Sequence, residues 1–136
     1  MRDTKPVLLL EDDEVDQESV SRAFKALRIT NPLVIAGNGE EGLVYLLDKA
    51  NKLPCLILLD LKMPRMDGLE FLREIKKDEH LKQIPVVAFT SSKEEQDKVE
   101  SFKLGVAGYM VKPSAQEKFL EVIHTIDLYW TLSETP

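Results

Sequence analysis

Glu11-Asp12-Asp13, Asp60, Thr90 and Lys112-Pro113 stand far apart in the chain, yet each directly follows a short apolar run: Val7–Leu10, Leu56–Leu59, Val86–Phe89 and Gly108–Val111. In an open parallel α/β sheet, ligands bind in the crevice beyond the carboxyl ends of the strands. If these runs are neighbouring strands, several carboxylates, one hydroxyl and one ammonium meet in a single pocket. Crowded carboxylates resist ionising side by side, and a divalent cation among them relieves the repulsion. Magnesium is commonly held by one or two carboxylates, several waters and a phosphate oxygen. A hydroxyl and an ammonium are what is needed to hold the equatorial oxygens of a transferring phosphoryl group, a reaction resting on positioning and charge. The set therefore predicts magnesium and phosphate chemistry pivoting on Asp60.

Each residue has a plainer reading in isolation. An Asp ending a strand often just turns the chain, and an acidic cluster suits the start of a helix. Thr90 is a β-branched strand type, and Lys112 could be a solvated surface lysine. The shared position changes that balance. Asp60 is followed by Lys62-Met63-Pro64-Arg65-Met66-Asp67-Gly68, a loop with Pro and Asp-Gly turn chemistry, so it lies at a strand-to-loop junction. Pro113 biases Lys112 away from helix and suits a strained or cis turn that aims the side chain.

The elements needed to position these residues are legible as strand-like runs alternating with amphipathic helical patterns, the signature of a parallel sheet covered on both faces. Val20, Ala23, Phe24 and Leu27 mark the first helix, and Asn31-Pro32 breaks it before a second strand at Leu33–Ala36. Asn38 with Glu41 predicts a capping box for a helix facing inward through Leu43, Leu46, Leu47 and Ala50. Phe71, Leu72 and Ile75 supply the third helix, and Pro85 precedes the fourth strand. Ser92 with Glu95 and Ser114 with Glu117 predict two further capping boxes. The fourth helix ends at Gly105 and has only Val99, Phe102 and Leu104 to bury, so it should shift at low cost. The last helix faces inward through Phe119, Val122, Ile123 and Ile126. The count is five strands and five helices, a doubly wound α/β fold in one domain over 1–136, with its core at about 6–129 and a short tail at 130–136.

Composition narrows the classes. The 136 residues are 43% apolar with a net charge of −6, acids and bases interspersed, which fits a globular domain and offers no basic face for nucleic acid. Apolar runs such as Cys55–Leu59 fall far short of a membrane span, and Met1–Pro6 lacks the apolar stretch of a secretion signal. Cys55, the single cysteine, is expected to be a buried, inert thiol of a cytosolic protein.

Taken together the residues resemble a response-regulator receiver domain of two-component signalling, from about Pro6 to Tyr129. That family carries an acidic pair after strand one, a phosphoacceptor Asp after strand three, Thr or Ser after strand four and Lys-Pro after strand five. Here those are Glu11 and Asp12, Asp60, Thr90, and Lys112 with Pro113. The intervals of 30 residues from Asp60 to Thr90 and 22 from Thr90 to Lys112 match the family's, as does Leu59–Gly68.

The resemblance implies a flavodoxin-like sheet of five parallel strands. It implies that Asp60 takes a phosphoryl group from a sensor histidine kinase. Asp12, Asp60 and the Lys62 backbone carbonyl would hold Mg²⁺ directly, with Glu11 acting through water. Thr90 would bind the acyl phosphate and Lys112 would pair with it, while Pro113 sets the backbone. Thr90 and Tyr109 would form the switch, altering the surface of helix four, strand five and helix five. Lys62 and Ser92 occupy places that tune phosphoryl hydrolysis in the family. The chain ends soon after the last helix, which predicts no output domain and most resembles the stand-alone receivers that pair with phytochromes and related kinases. Such relatives often dimerise, and Tyr129, Trp130 and Leu132 would be unusual as a free tail, so a homodimer through the last helix is expected. The downstream protein is unspecified.

Other classes fit less well. A pseudo-receiver scaffold has no use for such charge crowding. Aspartyl-phosphate phosphatases place a second Asp two residues after the nucleophile, where this chain has Lys62; beyond its own phosphorylation and dephosphorylation no enzymatic activity is expected. A nucleotide-binding loop is lacking, and His80 and His124 read as surface residues.

Overall fold

A computed structural model of the chain describes residues 5–133, with the side chains of 130–133 outside the description. The expected N-terminal segment Met1–Thr4, the side chains of Trp130 and Leu132, and residues 134–136 therefore lie outside the described residues. Five strands, β1 (Val7–Leu10), β2 (Leu33–Ala36), β3 (Leu56–Leu59), β4 (Val86–Thr90) and β5 (Gly108–Val111), form one parallel sheet in the order β2-β1-β3-β4-β5. Five α-helices alternate with them: α1 (Glu14–Ala26), α2 (Gly39–Leu47), α3 (Gly68–Lys76), α4 (Glu95–Lys103) and α5 (Phe119–Ser133). The last helix thus extends past Tyr129, where a tail was expected to begin.

Period-two alternation divides the apolar strand residues between two cores. Val7, Leu9, Leu58, Val87 and Phe89 face α1 and α5, packing on Val20, Ala23, Phe24, Phe119, Ile123 and Ile126. Phe89 and Phe119 meet edge to face with ring centroids 5.3 Å apart. Leu8, Leu10, Ile57, Leu59 and Ala88 face the other way, onto Leu46 of α2 and Phe71, Leu72 and Ile75 of α3. Strands buried on both faces read as continuous Leu/Ile/Val runs, as β1 and β3 do, and the fully buried β4 is apolar up to Thr90.

Register is what builds the crevice. Leu10 pairs with Leu59, so Glu11 and Asp60 emerge side by side; Thr90 pairs with Val111, so Lys112 emerges beside Thr90. The ladder continues one step further through Asp60 N–H to Leu10 O at 3.0 Å and Lys112 N–H to Thr90 O at 2.8 Å.

Helix ends depart from the capping expected in three places. Asn38 Oδ1 accepts from Glu41 N–H at 2.9 Å, but the Glu41 carboxylate turns back to Gly37 N–H instead, so only half of that box forms. Glu94, not Ser92, is the residue preceding α4, because the Ser92 hydroxyl is committed to Asp97. The Ser114–Glu117 box is absent too: a 3₁₀ turn at Gln116–Lys118 leads into α5. The reciprocal box actually formed is Asp67 with Glu70 at α3. Further differences are small. Ala50 lies beyond α2 and Leu47 is exposed, the Lys112–Pro113 bond is trans, and Cys55 is only half-buried. Helix α4 buries even less than expected, since Val99 and Phe102 are exposed and its buried residues are Asp97 and Ser101. Gly105, at φ +88°, closes it in the left-handed conformation that glycine adopts without strain.

Gly68 sits where the loop after Asp60 turns back under the site. A Cβ there would lie 2.4 Å from the Asp60 carbonyl oxygen and 2.6 Å from Leu61 Cα, both backbone atoms that cannot step aside. Alanine is the better helix former by about 1 kcal/mol, so the clash and the propensity oppose each other. The clash wins: Gly68→Ala is expected to destabilise the fold by roughly 1–3 kcal/mol in urea melts.

Candidate functional site at the carboxyl edge of the sheet

Asp60 is the first residue beyond β3, and its side chain is only 5% exposed. Thr90, the last residue of β4, donates its hydroxyl to Asp60 Oδ1 at 2.7 Å, and the Lys62 N–H donates to the same oxygen at 3.2 Å. The Thr90 oxygen in turn accepts from Ser92 N–H at 3.3 Å. Lys112 approaches from the β5 side. Its ammonium donates to Asp60 Oδ2 at 3.0 Å, Glu11 Oε1 at 2.5 Å and Asp16 Oδ2 at 2.8 Å. An ammonium has three N–H donors, and here each has a carboxylate.

Electrostatics follow from that crowding. Burial raises the Glu11 carboxyl, and the Asp60 charge adds to it; the hydrogen bond and charge of Lys112 oppose both, leaving a pKa of about 7. For Lys112 burial acts the other way, lowering the pKa. Hydrogen bonds to Asp16 and Glu11 and the charges of Asp60 and Glu11 outweigh it, so the amine is held above the ordinary lysine value.

Glu11, Asp12 and Asp60 each offer an oxygen to one spot, the three atoms lying within 4.8 Å of one another. All donors are hard oxygens, two come from buried residues and one from an exposed residue, leaving a face open to water. That donor set fits a small divalent cation that keeps part of its hydration shell. Asp13 takes no part: its Oδ1 caps α1, accepting from Val15 N–H at 2.8 Å and Asp16 N–H at 3.1 Å.

A second polar chain runs from the site into α4. The Lys62 ammonium pairs with Asp97 Oδ2 at 3.1 Å, Ser92 donates its hydroxyl to the same oxygen at 2.7 Å, and Tyr109 donates its hydroxyl to the Ser92 carbonyl at 3.0 Å. The Ser92 hydrogen bond, assisted by Lys62 and opposed by burial, lowers the Asp97 pKa and keeps the carboxylate ionised. Tyr109 also leans on Phe102 of α4, with ring centroids 6.5 Å apart.

The structure thus brings together Glu11, Asp12, Asp60, Thr90 and Lys112, with Lys62 on the adjoining loop and Tyr109 two residues before Val111. His80 and His124 are exposed and distant in role. Three participants escaped the sequence reading. Asp16 is the most consequential. Its signal was its place in the first turn of α1, three residues before the buried Ser19 and four before Val20, on the face turned to the molecule. Gln116, which donates Nε2 to Asp16 Oδ1 at 3.0 Å, and Asp97, one acid in a run of charged residues, carried no such signal.

Residues 7–124 match the response regulator receiver domain family. The chain belongs to that family. Response regulator Rcp1 of Synechocystis is 35% identical over 130 residues, spanning 93% of this chain and 88% of that protein. The solved Mn²⁺-bound form of Rcp1 superposes with a TM-score of 0.87 at 34% identity, covering 97% of this receiver and 96% of that chain. A phosphorylated cyanobacterial phytochrome response regulator, RcpA, superposes with a TM-score of 0.90 at 34% identity, each chain covered to 98%. The likeness to phytochrome-type response regulators expected from sequence is therefore present. Among the described residues no helix is long and apolar enough to cross a membrane.

Because the Glu11 pKa is higher folded than in its ordinary state, its ionisation destabilises the fold: the penalty is absent below about pH 4.5 and complete above about pH 7. Lys112→Met removes the cation that offsets this charge. Without divalent metal it is expected to cost roughly 3 kcal/mol at pH 8 and clearly less at pH 5, read from urea melts in chelator.

Proposed function

We propose that this receiver accepts a phosphoryl group from a sensor histidine kinase onto Asp60 in a Mg²⁺-dependent reaction, and that the modified form reshapes the α4–β5–α5 surface. The observation carrying this reading is the convergence on the two oxygens of Asp60: Thr90 and a backbone N–H on one, Lys112 on the other. A carboxylate oxygen of Asp60 attacks phosphorus, the P–N bond of the donor phosphohistidine breaks, and its electron pair leaves on the imidazole nitrogen. Asp12, Asp60 and the Lys62 carbonyl would hold Mg²⁺ directly and Glu11 through water; bound there, the ion supplies charge neutralisation for the phosphoryl oxygens. Thr90 and Lys112 hold those oxygens, and Pro113 sets the backbone from which Lys112 projects. No further enzymatic activity is assigned, and the location of a kinase-coupled receiver is the cytoplasm.

Asp60, which carries one negative charge as a carboxylate, becomes an acyl phosphate carrying about −1.5 to −2, and the group brings three new acceptor oxygens. Thr90 then follows the phosphoryl group, leaving room for Tyr109 to turn inward and give up its bond to Ser92. Helix α4, which buries little apolar surface and is tied to the site through Asp97, moves with it. The phosphate biases a pre-existing equilibrium between two packings.

Incubation with acetyl phosphate and Mg²⁺ should add the mass of one phosphoryl group, and Asp60→Asn should abolish the gain. An unmodified wild-type chain would leave only the scaffold reading. Mg²⁺ affinity should rise as pH passes about 7, with release of a proton, because Glu11 must ionise to serve the ion. Calorimetry in buffers of different ionisation enthalpy measures that proton directly.

The phytochrome-like kinase partner and a homodimer through α5 are part of the same proposal. Leu120, Leu128 and Tyr129 of α5 expose apolar surface, as do Val99 and Phe102 of α4 and Val111 of β5. Sedimentation should show dimer that grows with concentration, with or without beryllofluoride. A monomer at every concentration in both states would remove the dimer and leave an unidentified downstream protein as the occupant.

A further inference from the structure

Asp16 is the one partner of Lys112 that phosphoryl transfer leaves untouched. On the function proposed above, the three N–H groups of the ammonium fare differently. Its bond to Asp60 Oδ2 weakens once that carboxylate becomes an acyl phosphate, and Glu11 turns to the hydrated ion. The carboxylate of Asp16, 2.8 Å away on α1, is engaged by neither event. It is itself held from the far side, since Gln116 donates Nε2 to Asp16 Oδ1 at 3.0 Å and accepts from the Ser19 hydroxyl at 2.5 Å. The side chain of Asp16 is 13% exposed and that of Lys112 only 7%, so water competes weakly for either.

We infer that Asp16 is a positioning residue for phosphoryl transfer: clamped by Gln116 and Ser19, it anchors the Lys112 ammonium beside Asp60 while the other two carboxylates change partners. Lysine is a compact charge on a flexible four-carbon stem, and a stem held at one end only wanders. Displacing a catalytic group by an ångström is enough to slow a reaction severely. The anchor comes from α1, so the alignment of the amine depends on how α1 sits against the loop that leads from β5 into α5.

The hydrogen-bond pattern supplies a specific test. Each Asp16 oxygen accepts from a nitrogen donor, one on Lys112 and one on Gln116. Asp16→Asn turns one of those acceptors into a donor, which must face a donor. Adding Gln116→Glu restores a complementary set: the new amide N–H₂ meets a carboxylate, its carbonyl still accepts from Lys112, and the Ser19 hydroxyl keeps an acceptor. Net charge near the site returns to that of the wild type.

Phosphorylation by acetyl phosphate with Mg²⁺ is followed for the wild type, Asp16→Asn, Gln116→Leu and the double variant, with maximal rate and half-saturating donor concentration measured separately. Asp16→Asn is expected to lower the maximal rate about tenfold at nearly unchanged half-saturation, Gln116→Leu about threefold, and the double variant to recover most of the loss. A merely structural role would lower the melting temperature without this split and without rescue. Wild-type rates in Asp16→Asn, or a loss that the double variant fails to recover, overturn the inference alone; should Asp16→Asn not fold, Gln116→Leu decides by the same criterion. Absence of phosphorylation in the wild type overturns the functional reading and this inference with it.

Discussion

A single ammonium buried among three carboxylates is the constraint from which the rest of this receiver follows. Lys112 neutralises part of a charge density that the fold would otherwise not tolerate at the edge of its sheet. Such an arrangement is a poor way to gain stability, since taking the charges out of water costs about as much as their attraction returns. Its use lies in what it leaves poised. Glu11 is held near neutrality in pKa, Asp60 is presented with both oxygens oriented, and the amine is a cation that can transfer its attention to an incoming anion.

The parallel sheet makes this crowding possible because its strands end together. Backbone pairing continues one residue past the last apolar position on β1, β3 and β5, so three charged residues leave the sheet in register. The apolar runs behind them are buried on both faces and fix that register firmly, because slipping one residue would exchange the two faces. The rigid part of the molecule therefore lies behind the site.

In front of the site lies α4. A helix whose buried residues are an aspartate and a serine takes its place from polar contacts more than from apolar packing. Asp97 receives both Lys62 and Ser92, so the loops leaving β3 and β4 converge on one carboxylate, and Tyr109 of β5 closes onto the Ser92 carbonyl. Polar contacts of this kind are directional and can be exchanged. Thr90 and Ser92 link Asp60 to α4 through consecutive hydrogen bonds.

The sequence by itself determined the strands, their order of chemistry and most of the site. Period-two and period-3.6 patterns are local, and a residue type placed straight after a buried strand keeps its meaning wherever the strand lies. Glu11, Asp12, Asp60, Thr90 and Lys112 were legible for that reason. Only the tertiary structure decided what lies across from them. Asp16 meets Lys112 across 96 residues of chain, and Asp97 of α4 meets Lys62 on the loop after β3. The capping box expected at Ser92 fails because a neighbouring partner competes: the hydroxyl donates to Asp97, in the first turn of α4, where Glu95 was expected to close the box. Sequence states which groups are available; packing states which of them are already spoken for.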